Sequence, residues 1–144
     1  MSSRDNFHKV KDVKSILSIV GNNTGEGTGL SVDTAGFEEA AAVFNIGDSG
    51  DTLSGSVYMT LSVQESDNGS TGWADVPAAN VIGPNQGLLI DAPAEDSLIV
   101  QIGVKGAKRY LRAYIAFTGT HTNGTPIGAT IRLCGGAHEP VQTT

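Results

Sequence analysis

Apolar and polar residues alternate strictly in several parts of the chain, and this pattern predicts strands that each bury one face. The clearest run lies in residues 56–66, where the apolar side chains of Val57, Met59, Leu61 and Val63 alternate with polar or aromatic ones. The same period of two recurs in residues 98–104, 108–118 and 127–133. Because successive side chains of a strand point to opposite faces, one face of each predicted strand packs on a core.

Shorter apolar runs add the remaining predicted strands. Residues 16–20 and 88–90 are short runs of this kind, and residues 32–46 predict one further strand despite their alanines. Segments rich in Gly, Asn, Asp and Ser separate the runs, and these residues favour turns. About eight short strands predict an all-β fold, an antiparallel two-sheet β-sandwich of jelly-roll type. An immunoglobulin-like sandwich is the alternative.

Two segments near the start of the chain are predicted to lack regular structure. Residues 1–14 are polar and charged, which predicts an extended N-terminal arm before one β-sandwich domain over residues 15–144. Residues 21–29 contain four glycines and predict a flexible loop. This loop does not match a phosphate-binding loop, because no Gly-Lys-Ser/Thr ends it and no helical pattern follows it.

Charge is distributed unevenly along this acidic chain. The 144 residues carry a formal net charge of −6, yet no lysine or arginine lies between Ser15 and Val104. Basic residues precede and follow that acidic stretch. This segregation predicts complementary charged patches for contacts between subunits. The alternative is that folding brings the segments together and averages their charges. The net negative charge argues against nucleic acid as a partner, because an acidic chain and a phosphate backbone repel each other.

Cellular location is predicted from what the chain lacks. It has no signal-peptide pattern and no apolar run of about 20 residues, so we predict a protein made in a cytoplasm and not inserted in a membrane. A single cysteine, Cys134, excludes an intrachain disulfide and favours a packing role for that side chain.

No residue pattern predicts catalysis, a cofactor or a metal site. His8, His121 and His138 are not spaced as zinc ligands, and no Gly-x-Ser-x-Gly elbow occurs. The Asp-rich turns do not match the calcium loop of an EF-hand. We therefore expect no catalytic residue, no cofactor and no enzyme activity.

The most informative surface feature is a stripe of basic and aromatic residues on the strand predicted over residues 108–118. Such a stripe suits single-stranded nucleic acid, sugar or protein, and the acidic chain favours protein, since Tyr and Arg are enriched at interfaces. The basic residues of the predicted arm are added as contacts to a neighbouring subunit. The candidate protein-contact residues are Lys9, Lys11, Lys14, Lys108, Tyr110, Arg112 and Tyr114.

Two stretches resemble small structural proteins of tailed bacteriophages. The first is the segment Val57–Val76, with Leu61-Ser-Val-Gln-Glu-Ser-Asp-Asn-Gly-Ser-Thr-Gly-Trp-Ala-Asp-Val76, in which a strand ends in a Glu-Ser-Asp-Asn-Gly-Ser turn followed by Trp-x-Asp-Val. The second is the Arg-Tyr-Leu-Arg strand in residues 108–120. Together they cover about a quarter of the chain.

The resemblance implies a virion protein assembled in the bacterial host cytoplasm. Among virion roles, the size suits a capsid decoration (cement) protein that binds the major capsid protein on the outer capsid surface, commonly as a homotrimer. A neck, tail or fibre-associated virion protein is an alternative. A carbohydrate-binding module is a further alternative, with Tyr58, Trp73, Tyr110 and Tyr114 as its stacking rings.

Overall fold

Two antiparallel sheets make up the protein. The structure is a computed structural model that describes residues 7–136, and this described part contains no α-helix. The strands are β1 (Val10–Gly21), β2 (Val32–Asp33), β3 (Phe37–Ile46), β4 (Tyr58–Ser66), β5 (Ala74–Asp75), β6 (Val81–Ile82), β7 (Leu88–Ile90), β8 (Leu98–Val104), β9 (Tyr110–Thr118) and β10 (Thr125–Gly136). Single turns of 3₁₀-helix lie at Ala78–Asn80 and Pro93–Glu95.

The strands divide between two sheets that share one core. Sheet A is five-stranded, in the order β1-β10-β3-β8-β6, and sheet B has the order β2-β9-β4-β5, with β7 also paired to β4. All the strand pairs are antiparallel. Both sheets contribute side chains to a single apolar cluster whose largest fully buried members include Phe44, Met59, Leu61, Ile102, Ile115 and Ile131. The predicted all-β class with two antiparallel sheets is confirmed, and the arrangement is compatible with a β-sandwich.

The strands with strict alternation lie close to their predicted positions. In β4, the side chains of Met59, Leu61 and Val63 are fully buried. Strand β8 has the predicted bounds, and β9 and β10 differ from the predicted runs by a few residues at their ends. Burial of one face therefore follows directly from the period of two in the sequence.

The single strand predicted over residues 32–46 is wrong, because the chain changes sheets within it. Strand β2 pairs with β9 in sheet B, whereas β3 pairs with β10 and β8 in sheet A. The turn between them has Gly36 at a φ of 89°. Only glycine adopts that conformation without strain, and the carboxylate of Asp33 accepts a hydrogen bond from the N–H of Ala35 at 2.9 Å.

The predicted boundary of the N-terminal arm at residue 14 also needs correction. Strand β1 begins at Val10, opposite Cys134 of β10, and Lys14 is paired with Thr130. An ion pair between Asp12 and Arg132, at 2.9 Å, joins the same two strands on the outer face of sheet A. Residues 10–14 therefore belong to the sheet, and residues 1–6 of the predicted arm lie outside the described residues.

The glycine-rich segment over residues 21–29 packs on β9 rather than forming a free loop. The N–H of Gly29 donates to the carbonyl oxygen of Ala113 at 2.9 Å, and the N–H of Ile115 donates to the carbonyl oxygen of Gly27 at 2.8 Å. Thr28 forms an isolated β-bridge with Tyr114 between these bonds. The glycines allow the two backbones to approach closely, so residues 27–29 of the predicted flexible loop extend sheet B along β9.

We expect Ser97→Gly to raise the free energy of unfolding by about 0.5 kcal/mol. Ser97 has a φ of 55°. This left-handed conformation costs an L-residue about 1 kcal/mol, part of which glycine loses again through its greater freedom when unfolded. Urea denaturation measures the change, with Ser70→Gly as the control, because Ser70 is an exposed loop serine without a positive φ. A Ser97→Gly protein less stable than the wild type would contradict the assignment.

Candidate functional site

The predicted basic and aromatic stripe forms the outer face of β9. Tyr110, Arg112 and Tyr114 are half-buried and alternate with the fully buried inner side chains of the same strand. Tyr114 lies opposite Ser62 of β4, and Arg112 lies opposite Gln64. The alternation inferred from the sequence therefore places these three side chains together on the solvent side of sheet B.

Arg112 occupies the centre of this face. Its guanidinium carbon lies 4.4 Å from the ring centroid of Trp73 and 5.6 Å from that of Tyr114. Its Nε and Nη2 both donate to Oε1 of Gln64, at 2.9 and 2.7 Å. Cation–π contact and these hydrogen bonds fix the plane of the guanidinium group. We call the group of Gln64, Trp73, Tyr110, Arg112 and Tyr114 the Arg112 face.

The turn after β4 orders the edge of the Arg112 face. Oδ1 of Asn68 accepts hydrogen bonds from the N–H groups of Ser70 and Thr71, both at 2.8 Å. Gly69 has a φ of 76°, and a Cβ added there would lie 2.8 Å from the Tyr110 ring. This turn needs glycine for its backbone conformation and for its close approach to the tyrosine.

Lys108 ties the start of β9 to the same turn. Its Nζ lies 2.9 Å from the Asp67 carboxylate, and its backbone N–H donates to Oε2 of the buried Glu65 at 3.0 Å. Residues 61–76 and 108–120, far apart in sequence, are therefore in direct contact through an ion pair, hydrogen bonds and the stacking of Arg112 on Trp73. Lys108 itself precedes β9 and is exposed.

The candidate contact residues divide between two regions of the surface. Tyr110, Arg112 and Tyr114 lie on β9 in sheet B, whereas Lys11 and Lys14 lie on β1 in sheet A. Strand β1 is an edge strand, and Lys9 directly precedes it. Lysines on an edge strand commonly prevent unwanted strand pairing, which gives these side chains a structural role beside any contact role.

A groove on the outer face of sheet A was not predicted. It has a volume of about 510 Å³ and lies between β1, β10 and β3. Gly128 leaves its floor open, because a strand glycine has no side chain to fill the space. The sequence signal was only a glycine within an otherwise alternating strand. Its lining includes Ser18, Val20, Val43, Asn45, Pro126 and Gly128.

Asp51 and His121 form a buried polar pair beneath the loop before β10. Nδ1 of His121 lies 3.7 Å from Oδ2 of Asp51, and Nε2 lies 3.0 Å from the carbonyl oxygen of Thr118. Burial alone raises the pKa of the Asp51 carboxyl, but N–H donors from Asn123 and Gly124, with the nearby His121, hold that pKa below its ordinary value. The pair anchors the loop, and no hydroxyl or thiol group of the described residues hydrogen-bonds the imidazole.

The other residues considered for chemistry are dispersed. His8 is exposed near the start of β1, and His138 lies outside the described residues. Cys134 is half-buried in β10, and this burial raises the pKa of its thiol, which disfavours the reactive thiolate. Over residues 7–136, no group of three or more His, Cys, Asp or Glu side chains is placed to hold a metal ion.

In the described part of the chain, no helix is long and apolar enough to cross a bilayer.

Comparison of the chain with protein-family models, with curated proteins and with solved structures found no match. The Arg112 face and the groove of sheet A are thus the surface features from which a function is argued.

Proposed function

We propose that this chain is a non-enzymatic structural protein of a bacteriophage virion that binds the outer surface of the capsid and stabilises it. The observation that carries the proposal is the contact between the two stretches that resemble phage structural proteins. Arg112 of the second stretch stacks on Trp73 of the first, and Lys108 pairs with Asp67.

We propose in addition that the sandwich is of jelly-roll type, and the nested strand pairing supports this. Strand β4 pairs with β7, β3 with β8, β2 with β9 and β1 with β10. The chain therefore follows the path of one long hairpin. The hairpin is rolled so that β10 also pairs with β3, and β9 with β4. Such a rolled hairpin is the strand arrangement of a jelly roll.

In the proposed assembly, the chain is a homotrimer made in the host cytoplasm. Folding pairs Lys108 and Arg109 with Asp67 and Asp33 of the acidic stretch, so the support for subunit contacts comes from the exposed Lys11 and Lys14 on the edge strand β1. The partner of the assembled trimer is the major capsid protein. A ligand that binds only the assembled shell stabilises it by mass action, and several linked sites strengthen the effect.

Quantitative mass spectrometry of purified particles tests this function. We expect a copy number similar to that of the major capsid protein, because decoration places the protein at repeated positions over the whole shell. A ratio of a few per cent would instead assign the chain to the neck, tail or fibres. Absence from particles would overturn every virion role.

A carbohydrate-binding module is the second candidate, favoured by the position of its four proposed rings. Tyr58, Tyr110 and Tyr114 belong to the outer face of sheet B, and Trp73 contacts the same face through Arg112. One face of the Trp73 ring is already covered by the guanidinium group, which reduces the surface on which a sugar ring stacks. Binding on a glycan array that is lost in Tyr114→Ala would support this candidate, and an array without binding would remove it.

A further inference from the structure

Arg112 differs from the other arginines of the described chain in having no carboxylate partner there. Arg109 binds the Asp33 carboxylate through two hydrogen bonds, at 2.9 and 2.8 Å. Arg132 binds Asp12 in the same two-bond manner, at 2.9 and 3.3 Å. The polar partner of Arg112 is the neutral amide oxygen of Gln64. Its charge is therefore not neutralised by a contacting acid within residues 7–136.

The guanidinium group of Arg112 keeps one donor edge available. The edge formed by Nε and Nη2 is directed at Gln64, whereas Nη1 donates to no described group. Nη1 is not buried, so it is accessible to solvent. The remaining N–H groups of Nη1 and Nη2 point along one edge, and this fork matches the two oxygens of a carboxylate.

The surroundings favour a single carboxylate over a polyanion. Trp73 and Tyr114 restrict the guanidinium group before any partner arrives, which lowers the entropy lost on binding. Partial burial lowers the pKa of Arg112, since the cation has lost water without gaining an anion. An extended phosphate backbone would bring many negative charges to a chain whose net charge is −6, whereas a single carboxylate brings one charge to the guanidinium group.

We propose that the free edge of Arg112 binds a carboxylate side chain of the capsid shell and that the Arg112 face is the surface that contacts the shell. This inference rests on the proposed function. The aromatic rings beside the arginine exclude water from the ion pair, as the surroundings of interface hot spots do. The salt bridge sets the position of the protein on the shell, because a planar fork accepts a carboxylate in few orientations.

Binding to purified shells stripped of this protein tests the inference, with full-length wild type, Arg112→Gln and Arg132→Gln compared. We expect Arg112→Gln to weaken binding at least about tenfold, the loss typical of an interface hot spot. Arg132→Gln removes an equal charge from the other sheet and is expected to bind as the wild type does. Equal affinities for wild type and Arg112→Gln would overturn the inference while leaving the proposed function in place.

Arg112→Lys tests the geometry of the guanidinium group independently of its positive charge. Lysine keeps the positive charge but lacks the planar pair of donors, so we expect it to recover only part of the lost affinity. Full recovery of wild-type affinity would contradict the bidentate contact. Thermal melts of each variant identify a loss that arises from unfolding.

A second probe remains informative if the wild type itself does not bind shells, an outcome that would overturn the proposed function. The ¹⁵N resonance of Arg112 Nε is followed by NMR while a tetraglutamate peptide is added, with sodium chloride of equal ionic strength as the reference. A shift of this resonance with the peptide alone supports a carboxylate site on Arg112. Identical responses to peptide and salt would exclude one.

Discussion

Gly27→Ala is expected to lower the free energy of unfolding by about 3 kcal/mol, because the new methyl group would meet backbone rather than a movable side chain. A Cβ at Gly27 would lie 2.1 Å from the carbonyl oxygen of Ile115 and 3.0 Å from its carbonyl carbon. Relief requires the segment to separate from β9, which breaks the hydrogen bond from the N–H of Ile115 to Gly27. Urea denaturation, monitored by Trp73 fluorescence, measures the loss.

Gly55→Ala is the matched control for this substitution. Gly55 also lies in a connecting segment, but a Cβ added there has no atom within 4 Å, and its φ is not positive. We expect little change in stability, or a slight gain through the reduced freedom of the unfolded chain. If Gly27→Ala were as stable as Gly55→Ala, residues 27–29 would belong to the flexible loop that their glycine content suggests and would not be held against β9.

Asp51→Ala is expected to lower the free energy of unfolding by about 3 kcal/mol at neutral pH, because buried N–H donors lose a charged acceptor. The carboxylate accepts hydrogen bonds from the N–H groups of Asn123 and Gly124, each at 2.8 Å, and its side chain is only 8% exposed. Asp48→Ala is the control, since Asp48 is an exposed acid of the same loop. Equal stabilities of the two variants at pH 7 would show that Asp51 does not anchor residues 122–124.

The cost of Asp51→Ala is also expected to depend on pH. The folded protein holds the pKa of Asp51 below the ordinary value of 3.8. A lowered folded pKa contributes stability that is fully present above the unfolded pKa and is lost as pH falls through the folded value. The difference between wild type and Asp51→Ala should therefore be fully present at about pH 5 and shrink as the pH falls below 4. A difference that grows as the pH falls below 4 would contradict this assignment.

The basic and aromatic stripe was predictable because it depends only on local order. A strand over residues 108–118 places Tyr110, Arg112 and Tyr114 on one face in any sheet that buries Leu111 and its inner neighbours. The sequence did not reveal that Trp73 covers Arg112 or that Gln64 takes one edge of the guanidinium group. Those contacts depend on β4 lying beside β9, a pairing between distant segments.

The errors in the predicted fold have a common physical origin. Residues 10–14 are too polar to be recognised as a strand, yet they pair with β10 because edge strands tolerate charge on their exposed sides. The change of sheet at Gly36 divides residues 32–46, which were predicted as one strand, because the pattern of apolar residues does not record which sheet each of them joins. Glycines over residues 21–29 signal flexibility and close packing equally well.

Local patterning was thus sufficient for the all-β class, the strand faces and the identity of the exposed basic and aromatic residues. Other features required the tertiary structure: the strand pairing, the separation of Lys11 and Lys14 from the Arg112 face, the groove over Gly128 and the buried Asp51–His121 pair. The reason is that alternation reports only which side of a strand is buried, a property of neighbouring residues. A binding surface is made by side chains from separate strands, and the free energy that selects their neighbours belongs to the whole core.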